Sequence, residues 1–326
     1  MSYGYGGWPT NPRARRRRRP GILVRAARGL FVLAVLGVLG SVAQQYLSGV
    51  VGGVIQGGDI GVPRDTPPDT GTPGSGDGGG SGLPDNQASA ILGSNRFYTA
   101  GGLSDVECPA PDLTNATTSA QRAYDEHVFG CLATAWSGPL RRVDLTTNAP
   151  RLFVFDSSGS SPCGTFRPRE GATLAFYCPV NQTMYADVAA MARSFPTEHH
   201  VVYALVLAHE YGHHLQAKAG ILQAESSLAY QNPALATELS RRTETQASCF
   251  AGMFIRSIEE SYPVTGLQRR AFDYYARNAF GDQDGATGED RSHGTSQTQG
   301  RWILQGFEDN DTGRCNSFSV SAQDVQ

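Results

Sequence analysis

The chain has 326 residues, is 40% hydrophobic and contains 39 Gly and 18 Pro, a composition that excludes a wholly disordered or collagen-like protein. Its formal charge of −3 conceals a partition: residues 1–58 carry eight Arg and no acid, while the remainder sets 19 bases against all 30 acids. An acidic body of this kind repels phosphate backbones, and it contains no basic stripe interleaved with aromatics, so nucleic acid is excluded as a partner.

Residues 1–28 form a basic tail with Arg13, Arg15 to Arg19, Arg25 and Arg28, and lead into an uncharged apolar stretch over 29–47. Crossing a bilayer takes about 20 apolar residues, a length reached when Ser41, Gln44 and Gln45 sit at the outer end. Arg clustered on one flank holds that flank in the cytoplasm. The expectation is therefore one transmembrane helix in the cell membrane, with the N-terminus cytoplasmic and the rest of the chain outside. A cleaved signal peptide is the rival reading: Leu30 to Leu39 is a short apolar core and Ser41-Val42-Ala43 has the small-x-small form of a cleavage site, which gives a secreted body. Residues 48–87 turn to Gly, Pro, Ser and Asp, the composition of a flexible tether. Residues 88–326 remain as one body, large enough for a single core.

Within the body, apolar spacing predicts a helix over 119–136 that ends before Gly138-Pro139. Strand-like runs follow at 151–156, 173–177 and 183–187. Helices are then expected over 197–219, stopped by Gly220, over 233–260, opened by Pro233, and over 267–280 and 292–307. Strands first and helices after is an α+β pattern, mainly helical with a small sheet. The six Cys at 108, 131, 163, 178, 249 and 315 lie in the exported part, where an even count indicates three disulfides. Fifteen pairings are possible; neighbours in sequence are favoured, Cys108 with Cys131 and Cys163 with Cys178, leaving Cys249 with Cys315. No pair has CxxC spacing, which argues against a zinc–thiolate site.

The chemistry sits in His209-Glu210-Tyr211-Gly212-His213. Helical residues at i and i+4 share a face, so both imidazoles can be directed at one tetrahedral ion. Glu210 beside them is placed to take a proton from a water in the open coordination position, the arrangement of a zinc peptidase. With seven His in the chain, chance supplies roughly 0.006 copies of such a pattern. The apolar residues Val201, Val202 and Leu205 to Leu207 place it on a buried helix, where a polar cluster needs partners and a metal is one. His199, His200 and His214 read as ordinary side chains, and Tyr211 points to another face. Catalytic zinc needs a third ligand; the next helix offers Glu244, beside small residues Ala247, Ala251 and Gly252 suited to close helix approach, with Glu238 as the competing acid.

These segments resemble the bacterial neutral zinc metallopeptidase family. The match runs through Ala175-Phe176-Tyr177-Cys178-Pro179, Met184-Tyr185-Ala186-Asp187 and Leu207 to Gln216. It continues with Glu244-x-Gln246-Ala247-x-Cys249-Phe250-Ala251-Gly252, His293-Gly294-Thr295-Ser296 and Arg301-Trp302. The resemblance implies a zincin-like fold, a Zn2+ held by His209, His213 and Glu244, and protein or peptide substrates. It also brings in His293, a candidate donor to the oxyanion formed in peptide hydrolysis. Two places depart from the family pattern. Ser248 stands where the family carries an Asp that orients a ligand His, and a hydroxyl accepts the same hydrogen bond without charge, which lowers metal affinity or rate. Gln297-Thr298-Gln299-Gly300 stands where a more charged run is expected. A non-catalytic envelope protein that keeps or has lost a structural zinc is the alternative reading.

Overall fold

A computed structural model of the chain describes residues 82–111, 113, 117–167, 174–282 and 292–326. The basic tail, the apolar stretch and most of the tether lie outside the described residues. Among the described residues no helix is long and apolar enough to cross a membrane.

The fold is α+β, mostly helical with a small sheet. Helix α1 (Asp85–Gly93) precedes the long α2 (Thr118–Arg142), whose first turn is capped by Thr117 Oγ1 accepting from Ala120 N. Strands β1 (Arg151–Phe155), β2 (Gly159–Ser161), β3 (Gly164–Phe166), β4 (Ala175–Cys178) and β5 (Thr183–Asp187) follow. β5 is central, parallel to β1 and antiparallel to β4, and β2 and β3 form a separate hairpin. Both β4 and β5 are buried throughout, against the helices on one face and a cluster of Phe155, Phe176 and Tyr185 on the other. Asp187 ends β5 and caps α3 (Val188–Ser194) through Ala190 N.

The helical half consists of α4 (Val201–Lys218), α5 (Ile221–Gln231), α6 (Ala236–Ser257), α7 (Gly266–Asn278) and α8 (Ser296–Asp309). Helices α4 and α6 pack side by side, and α8 covers the other side of α6. The α6–α8 crossing is made by Gly252 and Gly306: a Cβ on Gly252 would collide with Ile303 O, and one on Gly306 with Cys249 O. The small residues expected to permit close approach thus serve two neighbours, Ala247 facing α4 and Gly252 facing α8.

Several expected boundaries move. Helix α2 runs through Pro139 instead of stopping before it, because Pro139 is itself buried beside Trp136 and Leu140 and the last turn is held by Arg142 Nε donating to Ala100 O at 2.5 Å. Burial and that tie offset the hydrogen bond that proline removes. The stretches opening at Thr197 and Pro233 begin as separate 3-10 turns, and helix α5 was not expected. Its apolar face of Ile221, Ala224 and Ala229 is small and is completed by Ala88 and Leu92 of α1, so it acquires a core only in three dimensions. All three disulfides pair as expected, Cys108–Cys131, Cys163–Cys178 and Cys249–Cys315. The second ties the β2–β3 hairpin region to β4, and the third ties α6 to the turn after α8.

Helix α2 also buries Asp125, whose Oδ1 accepts from Gln121 Nε2 at 2.8 Å while Oδ2 has no hydrogen-bond partner. Burial pushes this carboxyl up to about 8 from an ordinary 3.8. Between those values the native state binds the extra proton, so this group's contribution to stability is present at low pH and lost as pH rises towards 8. Asp125→Asn is expected to flatten that slope, as measured by thermal unfolding midpoints between pH 5 and pH 8.

Candidate metal centre

His209, Glu210 and His213 lie in the middle of α4, where residues 201–216 are all buried. The centre faces α6, and the two helices approach so closely that a Cβ on Gly212 would sit 2.9 Å from Ala247 Cα. That approach brings Glu244 of α6 against the two imidazoles: Glu244 Oε2 is 3.1 Å from His209 Nε2 and 3.5 Å from His213 Nε2. Ligand atoms of His209, His213 and Glu244 all lie within 4.8 Å of one another, and all three residues are buried. Glu238, the competing acid, is instead paired with Arg242 on the same helix at 2.7 Å.

His293 joins them from the turn before α8. Its Nε2 lies 3.7 Å from Glu244 Oε2, and its Nδ1 is 3.0 Å from Ser292 Oγ and 3.5 Å from Asp282 Oδ1. Asp282 also accepts from His293 N at 3.1 Å, which fixes the turn. Three imidazole nitrogens therefore converge on one carboxylate oxygen.

The polarity of this cluster can be read from its surroundings. Gln216 Nε2 donates to Thr243 O at 2.8 Å, and a backbone carbonyl only accepts. The amide is thereby oriented so that Gln216 Oε1, 2.9 Å from His213 Nδ1, must accept the imidazole N–H. His213 Nε2 is left facing Glu244, and both it and His293 Nε2 are buried without a hydrogen-bond partner. Buried nitrogens aimed at a buried carboxylate call for a cation among them. The donor set of two imidazoles and a carboxylate is the chemistry of a zinc site, so these residues fit the metal.

The charges respond to this crowding. Burial alone would raise Glu244, but the charges of His213 and His293 and the contact with His209 hold it well below the usual carboxylate range. Burial would lower His213, and Glu244 and Glu210 more than offset it, raising it to about 9. Burial raises Glu210, with the neighbouring His213 and His209 limiting the rise. Glu210 Oε2 accepts from Tyr177 N at 3.0 Å, so strand β4 holds the carboxylate.

Sequence reasoning missed the residues behind this set. His214 is fully buried; its Nδ1 is 3.1 Å from Tyr177 Oη and its Nε2 3.1 Å from Asn148 O. Burial lowers it to about 4, so it is a neutral clamp that donates to the carbonyl and accepts from the phenol, fixing the tyrosine whose backbone holds Glu210. Gln216 was legible in principle, since it sits at i+3 from His213 on one helix face. Asp282, eleven residues before His293, carried no spacing signal. His199 and His200 bond Tyr275 and Tyr262 well outside the centre.

The chain matches a family model described as "Putative neutral zinc metallopeptidase" over residues 104–318. The uncharacterized protein YpfJ of Escherichia coli (strain K12) is 31% identical over 203 residues, covering 57% of this chain and 67% of its own length. The uncharacterized proteins Rv2575 of Mycobacterium tuberculosis (strain H37Rv) and Mb2605 of Mycobacterium bovis are each 26% identical over 204 residues, covering 53% of this chain and 63% of theirs. No solved structure matches. The family match spans well over half of the chain and takes in α4, α6 and the turn carrying His293: the chain belongs to the neutral zinc metallopeptidase family.

Proposed function

We propose that the chain is a zinc-dependent endopeptidase of zincin-like fold that hydrolyses peptide bonds of protein or peptide substrates outside the cytoplasmic membrane. On this reading residues 29–47 anchor it and residues 1–28 remain inside. The observation that supports it best is the buried group of His209, His213 and Glu244 with Glu210 next to it in the sequence and held by its own backbone donor.

His209, His213 and Glu244 would hold the metal. Zinc, when bound, supplies a Lewis acid that polarises the substrate carbonyl and acidifies water. Glu210 acts as general base: Tyr177 N–H occupies Oε2, which leaves Oε1 to take the proton of the attacking water and pass it to the leaving amine. Burial keeps the carboxyl above its ordinary value, in the direction that suits a base working near neutral pH. His293 donates to the oxyanion from Nε2. Burial opposes its protonation, but Glu244 and Asp282 outweigh that and raise it, the direction that favours a charge-assisted donor.

Elemental analysis of the purified full chain is expected to give one zinc per molecule, lost in His213→Ala and Glu244→Ala. A parent that takes up no zinc sinks the proposal. The approach of His293 Nε2 to Glu244 favours one second reading, a closed structural site in a non-catalytic envelope protein, with His293 as a fourth ligand. His293→Ala separates the two. A stabiliser gives unchanged zinc affinity and turnover down by about 10²–10³-fold, whereas a fourth ligand gives a loss of zinc affinity comparable to that of His213→Ala.

A further inference from the structure

Ser248 of α6 and Gln299 of α8 touch each other beside His209. Ser248 Oγ donates to Gln299 Oε1 at 2.5 Å, and the same oxygen is 3.1 Å from His209 Nδ1. At the other end of the amide, Gln299 Nε2 donates to the backbone carbonyl of His293. Ser248 and Gln299 are themselves almost wholly buried, so water does not compete for these bonds.

The direction of every bond in this chain follows from its last member. The carbonyl of His293 only accepts, so the Gln299 amide must turn its NH2 towards it and its oxygen towards Ser248. That oxygen takes the hydroxyl hydrogen of Ser248. A serine whose hydrogen is spent can only accept from its other neighbour, so His209 must carry its proton on Nδ1. Its Nε2, 3.1 Å from Glu244 Oε2, is thereby the nitrogen available to a metal.

We propose that Gln299 is a positioning residue of the metal centre. Through Ser248 it fixes the tautomer of His209 that presents Nε2 to zinc, and through the His293 carbonyl it holds the third imidazole in register with the first two. The pair Ser248–Gln299 does with two neutral side chains what one carboxylate would do, and a single amide sets both α4 and the turn before α8. The inference rests on the reading of His209 as a zinc ligand. It extends that reading by giving the Ser248–Gln299 pair a role in presenting the ligand nitrogen.

The test uses the full chain with 15N-labelled histidine, and reads the protonation of the His209 ring nitrogens in zinc-free protein and the zinc affinity by competition with a chelator. Parent His209 is expected to carry its proton on Nδ1. Ser248→Ala removes the acceptor, and Nδ1 should lose its proton; zinc affinity should fall by about 10–100-fold. Gln299→Met should do the same. Ser248→Thr keeps the hydroxyl, so it should retain the parent's tautomer and zinc affinity.

Unchanged tautomer and affinity in Ser248→Ala overturns the proposal, as does a folded Gln299→Met variant with the parent's tautomer and affinity. If Gln299→Met does not fold, Ser248→Ala decides. A parent that binds no zinc, yet shows the Nδ1 proton and loses it in Ser248→Ala, overturns the metal reading and leaves the relay standing.

Discussion

Glu210→Gln is expected to keep its zinc and lose proteolysis by about 10²–10⁴-fold, the range general-base catalysis supplies, or roughly 3–5 kcal/mol on the barrier. The substitution is nearly isosteric. Its carboxamide oxygen still accepts from Tyr177 N, which holds the native carboxylate at 3.0 Å, so strand β4 keeps its attachment to α4. The variant also leaves His209, His213 and Glu244 in place, which separates loss of the base from loss of the metal. Zinc content by elemental analysis and turnover of a broad peptide library are the two measurements. Equal turnover in parent and variant would remove Glu210 from the chemistry and with it the endopeptidase reading.

Gly306→Ala and Gly252→Ala should have the largest effect on stability. Each Cβ would overlap a backbone carbonyl of the facing helix, Cys249 O for the first and Ile303 O for the second. A backbone atom cannot swing aside as a side chain tip does, so α6 and α8 must separate. Overpacking of this kind costs about 3 kcal/mol or more, a fall of roughly 6–12 °C in the unfolding midpoint. The loss should not stop at stability. Ser248 stands on α6 and Gln299 on α8, so parting the helices also pulls the two apart. Differential scanning calorimetry of parent and variants checks the first effect, and midpoints within 2 °C of the parent, about 1 kcal/mol or less, would show that the crossing tolerates a methyl group.

How much of this could be read beforehand depended on whether the information was local. His209, Glu210 and His213 were legible because a helix fixes the angle between residues four apart, and the apolar run before them marked that helix as buried. Glu244 was one of two acids on its helix until the fold chose: Glu238 meets Arg242 one turn away, while Glu244 meets the histidines. The disulfides were legible because neighbours in sequence could reach each other without rearranging the elements between them. Pro139 misled because its penalty is local and the burial that offsets it is not. Helix α5 was missed for the same reason, since half of its core belongs to α1. Gln299 lies in a stretch whose sequence carried no sign of its partners. Its meaning depends on a carbonyl six residues away and a hydroxyl 51 residues away, and no periodicity connects them.

The bond between Cys249 and Cys315 has a consequence for the timing of synthesis. Five residues after Glu244, the helix is tied to a segment made 66 residues later. That segment is also gripped by Gln246, which donates to Cys315 O at 3.2 Å, and by Arg242, which donates to Val320 O at 3.0 Å. The ribosome therefore completes α4 and α6 well before their arrangement is secured. A growing chain carries both histidines and the acid before it carries the ties that lock the acid's helix, and those ties form only after residue 320 has emerged.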